Sequence, residues 1–390
     1  MMGRVMQGVY CIALILTHGL AMAGNDGIRF ECAPSSTMAI DMQMSDYLEH
    51  LGIRQNLIAS RIDAASGVLE YTLDTPETDT STLDISDRPA LEVPQAVVRL
   101  PWKHGRLRDV PTVSKKEIVL SLLQHGRLTI FSGEACNIQA LKDHVGVRQN
   151  IAAWAEHLNW AWPNGGRAMW NKAYWRNGTP LPGHPLGEAV TDVFVHPRKY
   201  KVGCYTATKI IYLQGMLDYY ARVSPNPRMT RLLKRRLLKD GEPLVGIEPN
   251  VMWAFEQDFD AANAGRPGKL ARIQYGIAKH HFVPGDWVYL LNTDPASSQK
   301  TGYEGSNAIY LGRNRFDDYY NDNDHAYSFH QKLDEVYQWR HGVFSRSRDA
   351  AKLQALSPDD FEVLANAPED GGVLLPLRVS PYYFGYEMLP

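Results

Sequence analysis

The chain has 390 residues, 44% of them hydrophobic, and a formal net charge of −2 at pH 7. That length and apolar content suffice for one large or two ordinary hydrophobic cores. Because basic and acidic residues nearly balance, the composition argues against general nucleic-acid binding.

The first residues combine a basic start, a short apolar run and an exit of small residues. Residues 1–4 read MMGR, residues 9–16 are apolar, and residues 21–23 read AMA. This order is typical of a secretory signal peptide, and the run is too short and too interrupted for a spanning helix. We therefore predict a signal peptide over residues 1–23, cut after Ala23, and a secreted or periplasmic protein with no membrane span.

The cysteines predict one disulfide and one free thiol. Of four cysteines, Cys11 lies in the predicted signal peptide, which leaves Cys32, Cys136 and Cys204. An odd count in an oxidising compartment leaves one thiol without a partner. Cys32 and Cys136 both have polar, loop-like neighbours, so we predict that these two pair and that Cys204 is free.

Residues 24–150 form a predicted N-terminal accessory region, whose role the sequence leaves open as a pro-region, a substrate-docking domain or a lid. Residues 38–57 have a helical pattern, and residues 73–82 are polar and turn-rich, which predicts an exposed loop. Residues 96–100 read as a short strand. Ser114 is the predicted cap of a helix that follows it.

The middle of the chain is rich in tryptophan and then in basic residues. Apolar residues at helical spacing run from residue 138 to residue 162, and residues 160–175 contain four tryptophans: Trp160, Trp162, Trp170 and Trp175. Core packing is the simpler interpretation of these tryptophans, and the wall of an active-site cleft is the alternative. The basic residues between 222 and 239 are interpreted as a solvated helix face, with a docking site for an acidic surface as the alternative.

Cys204 opens a stretch with apolar residues at positions 207, 210, 211, 213, 217 and 220. This spacing predicts a helix with one buried face. A cysteine in the first turn of such a helix lies at the positive end of the helix dipole, which favours the thiolate. The position suits a nucleophile, as in papain-like enzymes, or else a small cysteine that only packs.

Two strands and a helix follow in the C-terminal half. Residues 284–291 read as a turn and a strand, and residues 308–312 read as a second short strand. Together they predict a small antiparallel sheet behind the Cys204 helix. Residues 329–339 then have a helical pattern, and a further helical pattern lies beyond residue 345.

Four segments together resemble the small bacterial transglutaminases of spore coats. They are residues 188–195 (EAVTDVFV), 200–208 (YKVGCYTAT), 284–295 (PGDWVYLLNTDP) and 303–312 (YEGSNAIYLG). Their order and spacing agree with that family from Trp175 to His325. The Pro-Gly-Asp sequence also occurs in NlpC/P60 peptidases.

The resemblance implies an α+β fold with a papain-like (NlpC/P60-like) core, in which the nucleophile helix packs on a small antiparallel sheet. It places the transglutaminase-like catalytic domain at residues 151–345 and a C-terminal extension at residues 346–390. It also implies protein-glutamine γ-glutamyltransferase activity, with Cys204 as the nucleophile. The partners would be proteins that carry glutamine and lysine side chains.

The site residues depart from the family at two positions. Gly203 and Ser306 stand where the family has glutamate, so the family carboxylate is missing at both matched positions. His325 matches the family histidine and is the predicted base. His280 and His281 are the alternatives for that role.

Glu304 and Asn307 are the two candidates for the group that orients the base. Glu304 lies two residues before Ser306, and because side chains alternate along a strand it can face the same way. Asn307 can act through its amide, as in papain-like proteases. The loop carboxylates Asp322 and Asp324 are expected to be solvated.

The sequence predicts no metal and no cofactor, because His325 and His330 do not share a helix face and the loop at residues 322–325 lacks the glycine and glutamate of a calcium site. Two other functions stay open: a papain-like cysteine hydrolase or amidase of the cell envelope, and a catalytically inactive binding module on the same fold. A water-excluding tunnel would favour transfer over hydrolysis. An unreactive Cys204 would favour the binding module.

Overall fold

A computed structural model describes residues 26–156, 160, 168–176, 178–238, 271–300, 302–318, 326–344, 350–367, 371–374 and 377–381. The predicted signal peptide, residues 1–23, lies outside the described residues.

The described residues form α-helices and small β-sheets. The α-helices are α1 (Thr37–His50), α2 (Lys115–Leu123), α3 (Ile138–Ala155), α4 (Leu186–Val195), α5 (Cys204–Asp218), α6 (Pro227–Leu238), α7 (Phe329–Arg340) and α8 (Pro358–Asn366). The β-strands are β1 (Gly27–Glu31), β2 (Ile58–Asp63), β3 (Val68–Leu73), β4 (Gln95–Pro101), β5 (Leu107–Val113), β6 (Leu128–Ser132), β7 (Trp175–Arg176), β8 (Thr179–Pro180), β9 (Ala271–Tyr275), β10 (Trp287–Asn292), β11 (Gly305–Gly312), β12 (Arg315–Asp317), β13 (Ala326–Tyr327), β14 (Val373–Leu374) and β15 (Leu377–Pro381). The fold is therefore α+β, as the sequence predicted.

The N-terminal layer is a four-stranded sheet in the order β2-β3-β1-β6. β1 runs antiparallel to β3 and parallel to β6. Leu69, Tyr71 and Leu73 of β3 are buried on one face, because side chains alternate along a strand. They share a hydrophobic core with apolar residues of α1, α2 and α3.

One disulfide bond cross-links this N-terminal layer. It joins Cys32, just after β1, to Cys136, just before α3, and the two Cα atoms are 5.5 Å apart. The predicted pair is therefore confirmed, and Cys204 is the free cysteine of the described residues.

The second sheet has the strand order β13-β12-β11-β10-β15-β9, and β14 also pairs with β10. Trp287 and Ile309, on its central strands, pack in the core that contains α5. Val288 and Ala308 point the other way and pack in the core that contains α7. The predicted antiparallel pair of strands is therefore present, as β10 and β11, and its two faces contact different helices.

Helix α3 is common to two cores. Its residues Leu141 and Val145 pack with the N-terminal sheet, whereas Ile151 and Trp154 pack around α5. The boundary predicted between residues 150 and 151 falls inside this helix. The division into an accessory region and a catalytic domain stays a prediction.

A buried cluster of charges connects the N-terminal layer to the second sheet. Asp286, just before β10, accepts hydrogen bonds from Arg127 at 2.6 Å and from Arg148 of α3 at 2.9 Å. All three side chains are buried. Burial alone would raise the pKa of Asp286, but the two guanidinium charges hold that pKa well below its ordinary value. The carboxylate is therefore ionised, and its role is to hold the layers together.

Some predicted segments differ from the structure. The helical pattern of residues 38–57 continues as an α-helix only to His50. Residues 73–82 were expected to form an exposed loop, but Thr82 is 1% exposed. Its hydroxyl donates to the Phe282 carbonyl and accepts from the Phe282 N–H, both at 2.7 Å. The prediction is wrong at this end because the loop packs on a distant part of the chain. Helix α3 ends at Ala155, earlier than the apolar pattern suggested.

No helix among the described residues is both long enough and apolar enough to cross a membrane.

Candidate active site

Cys204 is the first residue of α5, and Gly203 is the N-cap. Glycine has no side chain with which to cap the first turn, so the positive end of the helix dipole faces the cysteine. Cys204 is half-buried. A thiol in this position is stabilised as the thiolate, the form that acts as a nucleophile.

Helix α5 is more deeply buried than its sequence pattern predicted. The predicted inner face, with Ala207, Ile210 and Ile211, is buried, but so are polar residues such as Thr206 and Lys209. The helix packs against α3, α4 and β11. The predicted buried face is therefore confirmed, and the polar positions are buried as well because three elements surround the helix.

The chain that leads into α5 is held by a buried hydrogen-bond network around Asp192 of α4. Asp192 accepts from Asn171 Nδ2 at 2.6 Å and from the hydroxyl of Tyr200, and it also pairs with His196. Burial and the neighbouring Asp192 carboxylate raise the pKa of Tyr200, so its hydroxyl stays a donor. This network positions the first turn of α5, and with it Cys204.

Asn307 of β11 contacts the sulfur directly. Its Nδ2 donates to Cys204 Sγ at 3.4 Å, while Trp287 Nε1 donates to Asn307 Oδ1 at 2.9 Å. Because an indole nitrogen is only a donor, it fixes the amide oxygen towards Trp287 and the amide nitrogen towards the sulfur. The structure therefore brings together two of the predicted site residues, Cys204 and Asn307.

The strand register explains why Asn307, and not Ser306, faces the sulfur. Tyr289 is opposite Asn307, and Leu290 is opposite Ser306. Leu290 packs in the core of α7, on the far side of the sheet from α5. Ser306 points to that side because neighbouring residues of a strand alternate. The position that the resemblance matched to the family carboxylate thus faces away from Cys204.

Tyr289 is a site residue that sequence reasoning missed. It is half-buried on the same face of the sheet as Asn307. Burial raises the pKa of Tyr289, and the nearby negative charges of Cys204 and Glu304 raise it further. Alternation along the strand from Trp287 could have indicated that Tyr289 shares its face, but only the pairing of β10 with β11 places Tyr289 opposite Asn307.

Glu304 lies just before β11 and is exposed. Its main-chain carbonyl accepts from the Asn292 N–H at 3.1 Å, and its side chain lies close enough to Tyr289 to affect the pKa of that residue. Because it lies outside the strand, the alternation argument does not fix where its carboxylate points. Its predicted role as an orienting group stays a prediction.

The histidine candidates have different outcomes. His325, Asp322 and Asp324 lie outside the described residues, so His325 stays a predicted base. His281 is fully buried, with Nε2 at 3.3 Å from the Gln124 carbonyl. The His280 ring packs on Phe329 at 5.1 Å. These contacts place His281 against the N-terminal layer and His280 against α7; the choice among the three histidines stays a prediction.

The tryptophans described by the structure are core residues. Trp160, Trp170 and Trp175 pack in the core around α5. Trp160 Nε1 donates to the Val193 carbonyl, and Trp175 Nε1 donates to the Ala189 carbonyl. They hold α4 in place, as the simpler interpretation predicted. Trp162 lies outside the described residues.

No group of three or more His, Cys, Asp or Glu side chains in the described part of the chain is placed to hold a metal ion.

The sequence matches a family model, Protein-glutamine gamma-glutamyltransferase (TGL), over residues 112–323. Since this match spans more than half of the chain, the protein belongs to the protein-glutamine gamma-glutamyltransferase family. The resemblance to transglutaminases is therefore confirmed at the level of the family, which implies protein substrates. The matched region begins inside the predicted accessory region.

Among solved structures, the chain is similar to a transglutaminase from Geobacillus stearothermophilus without its C-terminal extension. The sequence identity is 18% and the TM-score is 0.38, and the alignment covers 64% of this chain and 96% of that chain. No curated protein matches the sequence significantly.

Proposed function

We propose that this protein is a protein-glutamine γ-glutamyltransferase with Cys204 as its nucleophile, built on a papain-like core. The hydrogen bond from Asn307 Nδ2 to Cys204 Sγ, at the start of α5, carries the proposal. A helix N-terminus and an amide donor both stabilise a negative sulfur. This is the ionic form that attacks a carboxamide.

The reaction has two acyl-transfer steps. The Cys204 thiolate attacks the glutamine carboxamide carbon, a C–S bond forms, the C–N bond breaks, and ammonia leaves after taking up a proton. A lysine amine then attacks the thioester, which forms an isopeptide C–N bond and returns the electron pair to sulfur. We assign the proton transfers to His325 and keep Glu304 as a candidate to orient it. The backbone N–H of Cys204 lies at the helix terminus, where it can donate to the oxyanion.

The test compares wild type with Cys204→Ala and Cys204→Ser for incorporation of a fluorescent primary amine into a glutamine-containing protein. We expect incorporation and ammonia release by the wild type and neither by the variants. Incorporation by Cys204→Ala would overturn the proposal. Ammonia release without incorporation would instead indicate a cysteine amidase. A Cys204 that does not react with iodoacetamide near neutral pH would indicate a binding module.

We also propose that the protein works outside the cytoplasm, after removal of residues 1–23. The Cys32–Cys136 disulfide supports an oxidising compartment. Fractionation of expressing cells, with mass spectrometry of the mature N-terminus, tests this. A cytoplasmic protein that retains residues 1–23 would contradict it.

A further inference from the structure

A group of exposed basic residues lies beside the entrance to α5. We call Lys172, Arg176, Arg198, Lys199 and Lys201 the cationic rim; all five are exposed. Lys201 is three residues before Cys204, so their Cα atoms are at most about 11 Å apart. Met169 pairs with Lys201 in an antiparallel bridge, which brings the segment that carries Lys172 and Arg176 to the same place.

The charge of the cationic rim is not balanced locally. Residues 168–203 contain five basic residues and two acidic ones, Glu188 and Asp192, in a chain whose net charge is −2. The Asp192 carboxylate is already occupied by Tyr200, Asn171 and His196. Among the interactions of the described residues, no rim side chain makes an ion pair or a hydrogen bond.

Some other basic residues at the surface do have acidic partners. Arg99 pairs with Asp109 at 3.1 Å, and Arg315 pairs with Glu156 at 3.1 Å. The cationic rim differs from these two pairs, since it is a local excess of positive charge that lies close to Cys204 in the chain. The exposed Glu304 precedes β11, outside the segment that carries the rim, and its charge affects the pKa of Tyr289.

We propose that the cationic rim binds acidic side chains that flank the donor glutamine, so that the enzyme prefers glutamines in acidic segments of its protein substrates. This rests on the proposed function, because the glutamine carboxamide must reach Cys204. In an extended peptide, residues two or three positions from the glutamine lie about 7–10 Å away. The upper bound of about 11 Å between the Lys201 and Cys204 Cα atoms is of similar size, and such distances are about one Debye length at physiological salt.

The test measures binding separately from catalysis. Three fluorescent peptides with one central glutamine, flanked by glutamate, by serine or by lysine, are titrated onto Cys204→Ala, and anisotropy gives Kd. The rim variant carries Lys199→Glu and Lys201→Glu in addition to Cys204→Ala. The matched control adds Arg228→Glu and Arg231→Glu on α6, which are exposed and change the net charge equally. α6 follows the far end of α5, a helix of 15 residues and thus about 22 Å long.

We expect the glutamate-flanked peptide to bind most tightly, and rim reversal to weaken it about tenfold. The serine-flanked peptide should be unaffected, the control variant should bind like the parent, and added salt should reduce the preference. Equal binding of the three peptides, or equal loss in the control variant, would overturn the proposal. A second variant, with Lys199→Gln and Lys201→Gln, removes the two charges without reversing them. Thermal unfolding of both variants shows whether weaker binding comes from the lost charge or from misfolding.

The same variants with Cys204 intact separate this proposal from the proposed function. With an uncharged glutamine donor, we expect rim reversal to reduce amine incorporation less than it does with an acidic donor. If no donor supports incorporation but acidic peptides still bind through the rim, the proposed function fails and the binding surface stands. If incorporation occurs without any preference for acidic donors, the binding surface fails and the function stands.

Discussion

Asn307 Nδ2 donates to Cys204 Sγ at 3.4 Å, between residues that are 103 positions apart in the chain. The contact exists because β11 packs on α5, and because Trp287 holds the amide in one orientation. This hydrogen bond joins the second sheet to the first turn of α5.

Removing this amide should make Cys204 a weaker nucleophile. In Asn307→Ala the sulfur loses a charge-assisted hydrogen bond, so less thiolate is present at pH 7. We expect alkylation by iodoacetamide at pH 7 to slow roughly tenfold to a hundredfold, with the pH–rate profile displaced to higher pH. Ser306→Ala, on the opposite face of the same strand, is the control and should react like wild type. An unchanged profile in Asn307→Ala would remove the amide from the mechanism.

Asp286 should be required for stability. Asp286→Asn leaves the buried Arg127 and Arg148 without their carboxylate, and breaking a buried pair costs about 3–5 kcal/mol. Urea unfolding at pH 7 measures this loss. Since the folded pKa of Asp286 is lowered, its stabilisation is complete above the ordinary aspartate pKa. This stabilisation declines as the pH falls below about 4. The difference in the free energy of unfolding between wild type and Asp286→Asn should therefore become smaller at low pH. A loss below 1 kcal/mol at pH 7 would show that the cluster is not needed.

Glu117 should give stability the opposite dependence on pH. Its side chain is 1% exposed and accepts from the Arg313 N–H at 2.6 Å. Burial, partly offset by Arg313, raises the pKa of Glu117 from 4.5 to about 7. The folded state therefore binds more protons between these values, and its stability falls as the pH rises through them.

Glu117→Gln removes this proton uptake while keeping an acceptor for the Arg313 N–H. The free energy of unfolding of wild type, relative to the variant, should fall by about 3 kcal/mol between pH 4.5 and pH 7.5. Urea unfolding at the two pH values gives the difference. A difference that does not change with pH would contradict a buried, protonated Glu117.

The disulfide should stabilise the N-terminal layer. Cys32 and Cys136 are 104 residues apart, and a loop of that length corresponds to about 4–5 kcal/mol in the chain-entropy model. The double variant Cys32→Ser, Cys136→Ser should therefore melt at a lower temperature. Wild type measured in a reducing agent is the control and should approach the variant. Equal melting temperatures with and without the reducing agent would show that the bridge contributes little.

The sequence was most informative where the signal was local. Cys204 followed from its place at the start of a helical pattern, and Ser114 does cap α2, since its hydroxyl accepts from the Glu117 N–H. The Cys32–Cys136 pair followed from counting. The order of short motifs was enough to identify the family. Each of these depends on neighbouring residues or on simple arithmetic.

What the sequence did not reveal depends on strand register and long-range packing. Whether Ser306 or Asn307 faces the sulfur is decided by the pairing of β11 with β10, and a shift of one residue would exchange them. Tyr289 was missed for the same reason. The partners of Asp286 are Arg127, just before β6, and Arg148 of α3, both more than 130 positions away, so no local pattern could reveal them.

Helix α3 has a consequence for how the molecule melts and how it can be divided. Because one continuous helix supplies Leu141 to the N-terminal core and Trp154 to the core around α5, neither core can be lost without disrupting the other. The two layers should therefore unfold in one cooperative transition, and a fragment cut at residue 151 would begin in the middle of that helix. We therefore expect removal of the N-terminal layer to disturb the packing around α5, the helix that begins at Cys204.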